Sequence, residues 1–369
     1  MRRYILIFLV LSGFFAVILL LQLAQIKVPN QFRVAIGTGQ NVYLISKSFK
    51  MRKIFSLKDF KPEEDLNYIK LSSFLNPDTL FLYVIGKKEK QSYFLKVNIH
   101  SSRLSRKNSP IFFRKLKLKK ASGIIVGIED GTDNIFLLDQ YYRIKKSFRV
   151  GDYNKSLKSV VSPKGSFSVP PAMPAEEGLI FRPIDVDVDE RNNIIISGFG
   201  SVQIIEISDK GDFISAIDLM EEVDDKYAKK YDYLSIEQLK SIGRDRLCIL
   251  AHFFTRWDAG PQEKMLAIYD NVHNKFDFTF NSEDIRYLDI YTKPTGVLDL
   301  FRAQRYIDPY YFNVRHDYLL IANLQHGGSG SSTVVGIDFK KKLVFQFPEN
   351  YFQDLIFKDI GFINYIDLL

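Results

Sequence analysis

The sequence predicts an all-β fold, a six-bladed β-propeller made of four-stranded antiparallel blades. Three observations predict it. Short runs of alternating apolar and polar residues are separated by turn residues, the same strand–turn–strand spacing recurs along the chain, and one unpaired apolar run remains at the C-terminus. The 31 Phe and 20 Tyr among 369 residues agree with this fold, because aromatic side chains favour sheets.

Residues 183–219 form the clearest unit. Apolar residues and aspartates alternate from Ile184 to Asp189, an Asn-rich turn follows, and further alternating runs cover 194–198, 202–207 and 213–219. Four short strands within about 40 residues match the size of one propeller blade.

The other five units repeat this spacing. Their outer three strands are predicted at 33–37, 41–46 and 51–57; 80–86, 92–99 and 103–107; 123–128, 134–139 and 143–150; 246–254, 264–271 and 275–280; and 318–324, 332–339 and 343–347. Innermost strands are predicted at 68–72, 114–119, 183–189, 234–242 and 310–315. The first unit lacks one, and the C-terminal run 356–365 is predicted to complete it and close the ring. A seventh blade within 281–302 is the alternative.

The unit at 183–219 resembles the NHL-type blades of six-bladed propellers. The matching residues are Pro183, the alternating run from Asp185 to Asp189, and the strand from Asn193 to Ile196. The resemblance implies the fold, but this fold carries binding proteins, lyases and hydrolases alike, so it does not select a function.

Residues 1–30 are predicted to be a signal anchor, one transmembrane helix with a short linker, and residues 31–369 the propeller. Arg2 and Arg3 precede an uncharged run, 4–26, that would span about 34 Å as a helix. The run is longer than a signal-peptide core and ends without a small-residue cleavage site, although a cleaved signal remains the alternative. The two arginines predict a single-pass protein of the cytoplasmic (inner) membrane, with its propeller on the periplasmic or extracellular side.

Charge is unevenly distributed along the chain. Residues 27–120 hold 21 basic and 6 acidic residues, a net charge of +15, whereas residues 121–369 carry −9. The basic first two blades are therefore predicted to contact anionic lipid, and the alternative is that the lysines keep the sheet edges soluble. No nucleic-acid motif accompanies the charge, so no nucleic-acid partner is predicted. The single cysteine, Cys248, lies in an apolar run and is predicted to be a buried thiol.

The predicted strand order places the five longest connections on one face. They are 151–182, 220–233, 255–263, 281–309 and 325–331. Loops of this length in a compact domain commonly carry function, so this face is the predicted binding surface. The proline-rich connection 151–182 is predicted to be extended and irregular, and 221–230 to form a short helix.

Asp185, Asp187 and Asp189, together with Asn192 and Asn193, have the spacing of calcium ligands in a loop. The central glycine and the distal glutamate of such a loop are missing, so the run is predicted to be an acidic channel lining, and a calcium site is the alternative. No zinc spacing, phosphate-binding loop, dinucleotide fingerprint or serine nucleophile motif is present, and no cofactor is predicted.

Partner-binding residues are predicted in the long connections. Arg256 and Trp257 follow His252, and His326 lies in the corresponding connection of the next unit. Arg and Trp are frequent anchors of protein interfaces, whereas a catalytic histidine would need a carboxylate partner that the spacing does not reveal. The prolines of the first long connection, Pro170 and Pro171, complete this set.

The function that follows is a non-catalytic, membrane-anchored scaffold or accessory subunit that binds a protein partner through its long loops. Two alternatives stay open: a metal-dependent hydrolase or lactonase-like propeller enzyme, and a glycan- or peptide-binding propeller. A ring of inward carboxylate, histidine or asparagine side chains from several blades would favour the enzyme.

Overall fold

A computed structural model describes the greater part of the chain. The described residues are 34–45, 51–59, 66–101, 103–120, 122–160, 181–200, 202–219, 233–254, 262–281, 308–315, 318–324, 332–338, 343–346 and 363–368. The predicted signal anchor, residues 1–30, lies outside them, as do the predicted helix 221–230 and the seventh-blade candidate beyond residue 281. Within the described ranges, no helix has the length and apolar character needed to cross a membrane.

Strands dominate the structure. They are β1 (Val34–Thr38), β2 (Asn41–Ile45) and β3 (Met51–Ser56); β4 (Leu66–Asn76), β5 (Thr79–Gly86), β6 (Ser92–Asn98) and β7 (Leu104–Asn108); β8 (Phe113–Lys119), β9 (Ile124–Glu129), β10 (Asn134–Leu138) and β11 (Ile144–Arg149); β12 (Phe181–Val188), β13 (Ile194–Gly200), β14 (Ile204–Ile207) and β15 (Phe213–Ile217); β16 (Tyr233–Ile242), β17 (Arg246–Phe254), β18 (Gln262–Asp270) and β19 (Lys275–Asn281); β20 (Asp308–Arg315), β21 (Tyr318–Leu324), β22 (Ser332–Asp338) and β23 (Leu343–Gln346); and β24 (Ile363–Leu368). The helices within the described ranges are two 3₁₀ turns, Leu57–Asp59 and Val150–Tyr153, and one α-helix, α1 (Asn154–Val160).

These strands form antiparallel sheets in which sequential strands are neighbours. The groups β4–β7, β8–β11 and β20–β23 are each a separate four-stranded sheet. The groups β12–β15 and β16–β19 are two such meanders joined into one sheet by a single pairing, Phe199 with Ser235. Four-stranded meanders of this kind are the blades of a β-propeller.

The C-terminal strand pairs with the first strand of the fold. Val34 lies opposite Leu368, and β24, β1, β2 and β3 form a four-stranded sheet in that order. This pairing is the one the sequence predicts, but the predicted bounds, 356–365, were wrong because the strand is Ile363–Leu368. The end of this strand meets the beginning of β1, where Leu368 lies opposite Val34.

Apolar side chains form separate cores between successive sheets. One cluster joins β4–β6 to β8–β10 and includes Phe81, Phe94 and Phe113. Another joins β13–β14 to β16–β18 and includes Ile204 and Phe253. Both faces of β9 are covered in this way, because Ile125 belongs to one cluster and Val126 and Ile128 to another. Each buried Leu, Ile or Phe side chain contributes about 1.5–3 kcal/mol. Sheets packed face to face in this way have the arrangement of propeller blades.

In the spatial order of each four-stranded group, the strand at one end is called the inner strand. The inner strands are β4, β8, β12, β16, β20 and β24. β12 contacts β8 and β16, and β24 contacts β4 and β20. β12 and β16 are parallel, because Asp185 and Asp187 accept hydrogen bonds from the N–H groups of Leu239 and Ser241, at the same two-residue spacing.

Strand directions define two faces of the molecule. The hairpin face holds the turns that leave β4, β8, β12 and β16, at 77–78, 120–123, 189–193 and 243–245. The loop-rich face is the opposite one, where each inner strand begins. Both ends of all five predicted long connections lie on the loop-rich face, as the alternation of directions in a meander requires.

The connection after β11 departs from its prediction at its beginning. Residues 151–182 were expected to be extended and irregular, but a 3₁₀ turn and α1 occupy 150–160. Leu157 of α1 is fully buried in the core that β9–β14 share, and Tyr153 donates its hydroxyl to the carbonyl oxygen of Gly211. The first proline of the connection is Pro163, so nothing in 154–160 opposes a helix.

Candidate functional site on the inner strands

A β-bulge or other register shift interrupts each of the six inner strands. The residues left without a partner directly opposite them include Lys70 in β4, Arg114 in β8, Ile184 in β12, Glu237 in β16, Tyr310 in β20 and Asn364 in β24. A bulge turns a side chain away from the direction that strict alternation would give it, and bulges are frequent beside functional sites. In β4, β8 and β16 the redirected residue is charged.

Glu237 is the centre of a charged group on the loop-rich side of β16–β18. Its Oε1 lies 2.8 Å from His252 Nδ1, and its Oε2 lies 3.6 Å from Lys264 Nζ. His252 and Lys264 are directly opposite each other on β17 and β18, so the two strands hold both partners in fixed positions. The glutamate side chain is 34% exposed and therefore remains accessible to solvent.

The environment of Glu237 favours its ionised form. Burial alone would raise its pKa, but the hydrogen bond with His252 and the charges of Lys264 and Lys115 outweigh burial and lower it. The result is an ionised carboxylate beside an imidazole at neutral pH. This is the arrangement that orients a histidine for proton transfer or for an interface hydrogen bond.

This geometry corrects one conclusion drawn from sequence spacing, that His252 lacks an identifiable carboxylate partner. Glu237 is that partner, and it is supplied by the neighbouring inner strand. One sequence signal marks the position. The alternation of Leu234 and Ile236 shifts by one residue to Leu239, and the shift places the bulge at Glu237.

The aspartates of β12 hold the inner strands together. Asp185 Oδ2 accepts a hydrogen bond from the N–H of Leu239 at 2.9 Å, and Asp187 Oδ2 accepts one from the N–H of Ser241 at 2.8 Å. Asp189, which ends the run, instead accepts the N–H of Asn193 at 2.7 Å and fixes its own turn. One carboxylate oxygen of each aspartate in the calcium hypothesis therefore has a backbone donor.

Lys117 of β8 supplies the charge that balances Asp185. Its Nζ lies 3.2 Å from Asp185 Oδ2 and donates to the carbonyl oxygen of Leu239 at 3.4 Å. Burial disfavours the charged form of Lys117, but the Asp185 carboxylate more than compensates, and its pKa is raised. Asp185 Oδ1 is buried and has no hydrogen-bond partner among the described residues.

Gln238 performs a similar task between β16 and β20. Its Nε2 donates to the carbonyl oxygen of Phe312 at 2.8 Å, and its Oε1 accepts the N–H of Phe312 at 2.9 Å. The side-chain amide thus bonds to the backbone as a neighbouring strand would. Sequence analysis did not find this residue, because Gln238 and Phe312 are 74 positions apart.

The predicted binding residues fall into two groups. Arg256, Trp257, His326, Pro170 and Pro171 lie outside the described residues. The three aspartates are described, and neither they nor any other three His, Cys, Asp or Glu side chains in the described ranges form a group suited to a metal ion.

No family model matches this chain, and no curated protein matches it. Solved structures with a similar fold include a streptogramin B lyase, 10% identical over 88% of this chain and 85% of that chain, with a TM-score of 0.38. Virginiamycin B lyase from Staphylococcus aureus is 11% identical over 86% and 88%, with a TM-score of 0.36. The β-propeller domain of Cps50 (Swd1) from Myceliophteria thermophila is 8% identical over 78% and 72%, with a TM-score of 0.41. The β-propeller fold of this chain rests on its own strand pairings, and membership of the NHL type stays a prediction.

Proposed function

We propose that this chain is a non-catalytic, membrane-anchored six-bladed β-propeller that binds a protein partner on its loop-rich face, as a scaffold or accessory subunit. The proposal rests on what the polar side chains of the inner strands contact. Asp185, Asp187 and Gln238 are directed at the backbone of neighbouring inner strands. Side chains committed in this way stabilise the ring and are not arranged around a substrate or metal ion.

Six blades and a closed ring are supported by the order of contacts. The six inner strands β24, β4, β8, β12, β16 and β20 succeed one another, and β20 returns to β24. Lys70 Nζ donates to the carbonyl oxygen of Phe113 and so links β4 to β8, the one neighbouring pair not named above. Pairing with β24 and with β2 gives β1 a partner on both of its sides, so the first strand of the fold is not a free edge.

The loop-rich face is the better candidate for the partner because the long connections leave from it. The anchor would attach at the other face, since β1 begins there, at Val34. In this orientation the basic first two blades lie near anionic lipid headgroups, while the long loops face away from the membrane. The proposed location is the cytoplasmic membrane, with the propeller on its outer side.

Photo-crosslinking in intact membranes tests the partner surface. A photoreactive amino acid replaces Trp257 or His326 in the full chain, and the control replaces Lys210, which is exposed on the hairpin face. We expect one product of defined mass from positions 257 and 326 and none from 210. Equal products from both faces, or recovery of the chain alone from all three variants, would refute the scaffold proposal.

The enzyme alternative is favoured by one observation, the Glu237–His252 pair with its lowered glutamate pKa. A metal-dependent hydrolase of this fold would retain an ion when the full chain is purified without chelator. We expect elemental analysis to find less than stoichiometric calcium or zinc. One ion per chain, lost together with Glu237→Gln, would replace the scaffold proposal with the enzyme.

A further inference from the structure

We propose that a cavity between the second and third sheets binds the phosphate group of an anionic membrane lipid. The cavity lies on the hairpin face and has a volume of about 220 Å³. Among its lining residues are Lys96, Lys120, Ser122, Gln140 and Tyr142. Small-molecule sites usually measure about 300–1,000 Å³, so this cavity suits a compact anion better than a larger ligand.

Tyr142 is the residue that points to a ligand. It is 8% exposed, and its hydroxyl is buried with no hydrogen-bond partner among the described residues. Leaving a buried hydroxyl unpaired is unfavourable, and such groups in native proteins usually have a water or ligand partner. Burial also raises the pKa of Tyr142, so the hydroxyl stays protonated and can donate to an anion.

The backbone at Tyr142 supports the same conclusion. Its φ is +65°, in the left-handed region that bulky residues rarely adopt. The turn from Asp139 to Arg143 has the same hydrogen bonds as the turn from Ser208 to Asp212, where Gly211 occupies the position of Tyr142. A glycine would adopt this conformation without strain, so the tyrosine is kept at an energetic disadvantage, as functional residues often are.

The surrounding charge is positive. Lys96 Nζ lies 5.0 Å and Lys107 Nζ 5.9 Å from the centre of the Tyr142 ring. Asp139, the acid of this turn, does not neutralise them, because its carboxylate accepts the N–H groups of Tyr141 and Arg143 and the Nε–H of Arg143. An ammonium group beside a hydroxyl donor is a suitable environment for phosphate oxygens.

The position of the cavity indicates the source of the phosphate. The cavity opens among turns of the hairpin face, the face at which β1 begins and the predicted anchor would attach. A lipid headgroup would be presented to this face, whereas a soluble phosphate ester could reach either face. The lipid source therefore rests on the proposed membrane anchor, but phosphate binding itself does not.

Titration of the detergent-solubilised full chain with inorganic phosphate tests the cavity. We expect the thermal unfolding temperature to rise with phosphate and the apparent dissociation constant to increase about tenfold in Lys96→Gln, because one charge-assisted contact is lost. The matched control, Lys53→Gln, removes an exposed lysine of β3 and should bind as the wild type does. Tyr142→Phe should unfold at the same or a higher temperature without phosphate, yet bind phosphate more weakly.

The second arm identifies the source. The full chain is reconstituted with phosphatidylcholine alone or with added phosphatidylglycerol, and bound lipid is measured by native mass spectrometry. Retention of phosphatidylglycerol by the wild type but not by Lys96→Gln is the expected result. Phosphate binding without phosphatidylglycerol preference would overturn the lipid source. No effect of phosphate on the unfolding temperature, or equal effects in wild type and Lys96→Gln, would overturn the site. None of these outcomes bears on the proposed partner surface, which lies on the opposite face.

Discussion

Replacing Gln238 by alanine should destabilise the propeller strongly although Gln238 is polar and belongs to no proposed binding site. Both bonds of its amide go to the backbone of Phe312, which is 1% exposed, and Gln238 is itself 3% exposed. The variant leaves one N–H and one C=O group buried without partners. Each such group costs about 1–3 kcal/mol, so the free energy of unfolding should fall by about 2–6 kcal/mol.

Two further variants separate this effect from other causes. Gln238→Leu fills most of the space but makes no hydrogen bond, so its free energy of unfolding should still lie at least about 2 kcal/mol below that of the wild type. Gln40→Ala is the matched control, because Gln40 also donates to an inner-strand carbonyl, that of Asn67, but in an exposed position. Water can replace that bond, and the expected change is within about 0.5 kcal/mol.

Urea unfolding of the full chain in detergent, followed by circular dichroism, measures these differences as shifts of the midpoint at unchanged slope. If Gln238→Ala and Gln40→Ala shifted the midpoint equally, the idea that side-chain amides and carboxylates join the inner strands would be refuted. A changed slope would instead show that unfolding of the chain was no longer a two-state transition or that the denatured state had changed.

Three other predictions concern single positions. Because the pKa of Glu237 is lowered in the folded state, its stabilising contribution is present above about pH 4.3, the ordinary glutamate value, and is lost as pH falls through the folded-state pKa. In Glu237→Gln the free energy of unfolding should therefore fall less steeply with decreasing pH than in the wild type. The exposed control Glu89→Gln should leave this pH dependence unchanged. A Cβ at Gly127 would lie 2.5 Å from Phe113 Cδ1, so Gly127→Ala should lower the free energy of unfolding in urea by about 1–3 kcal/mol. Adding Phe113→Leu should recover part of this loss; if the losses of the two single variants simply added in the double variant, this packing would be contradicted. Cys248 is fully buried, and burial raises its pKa. A thiol reagent should therefore label it only in urea, with one thiol per chain. Rapid labelling of the native protein would contradict its position in the core.

Much of the fold could be predicted from local pattern. The innermost strand of the fifth unit was expected at 234–242 and lies at Tyr233–Ile242, and Cys248 is buried as expected. The C-terminal strand was assigned to the right partner but several residues too early. Pairing depends on alternation and on which edge is free, whereas the end of a strand depends on the residues across from it.

The candidate site could be predicted only in part. His252 was singled out, but its partner Glu237 was not, because a bulge in β16 shifts the alternation by one residue and turns the carboxylate toward β17. Tyr142 was not singled out either. Its unpaired hydroxyl results from the packing of two blades, and no residue pattern within one strand records such a contact.

The sequence by itself determined where most of the strands run and which of their sides is apolar, since period-two alternation is a property of neighbouring residues. Only the tertiary structure decided what the aspartates from Asp185 to Asp189 do. As a local pattern they have the spacing of metal ligands, but the parallel approach of β16 brings backbone N–H groups to Asp185 and Asp187, and Lys117 comes in from β8. Those partners are tens of residues away in sequence, so these contacts form only when the blades pack about the inner strands. As a result, aspartates with the spacing of cation ligands instead bond to neighbouring blades.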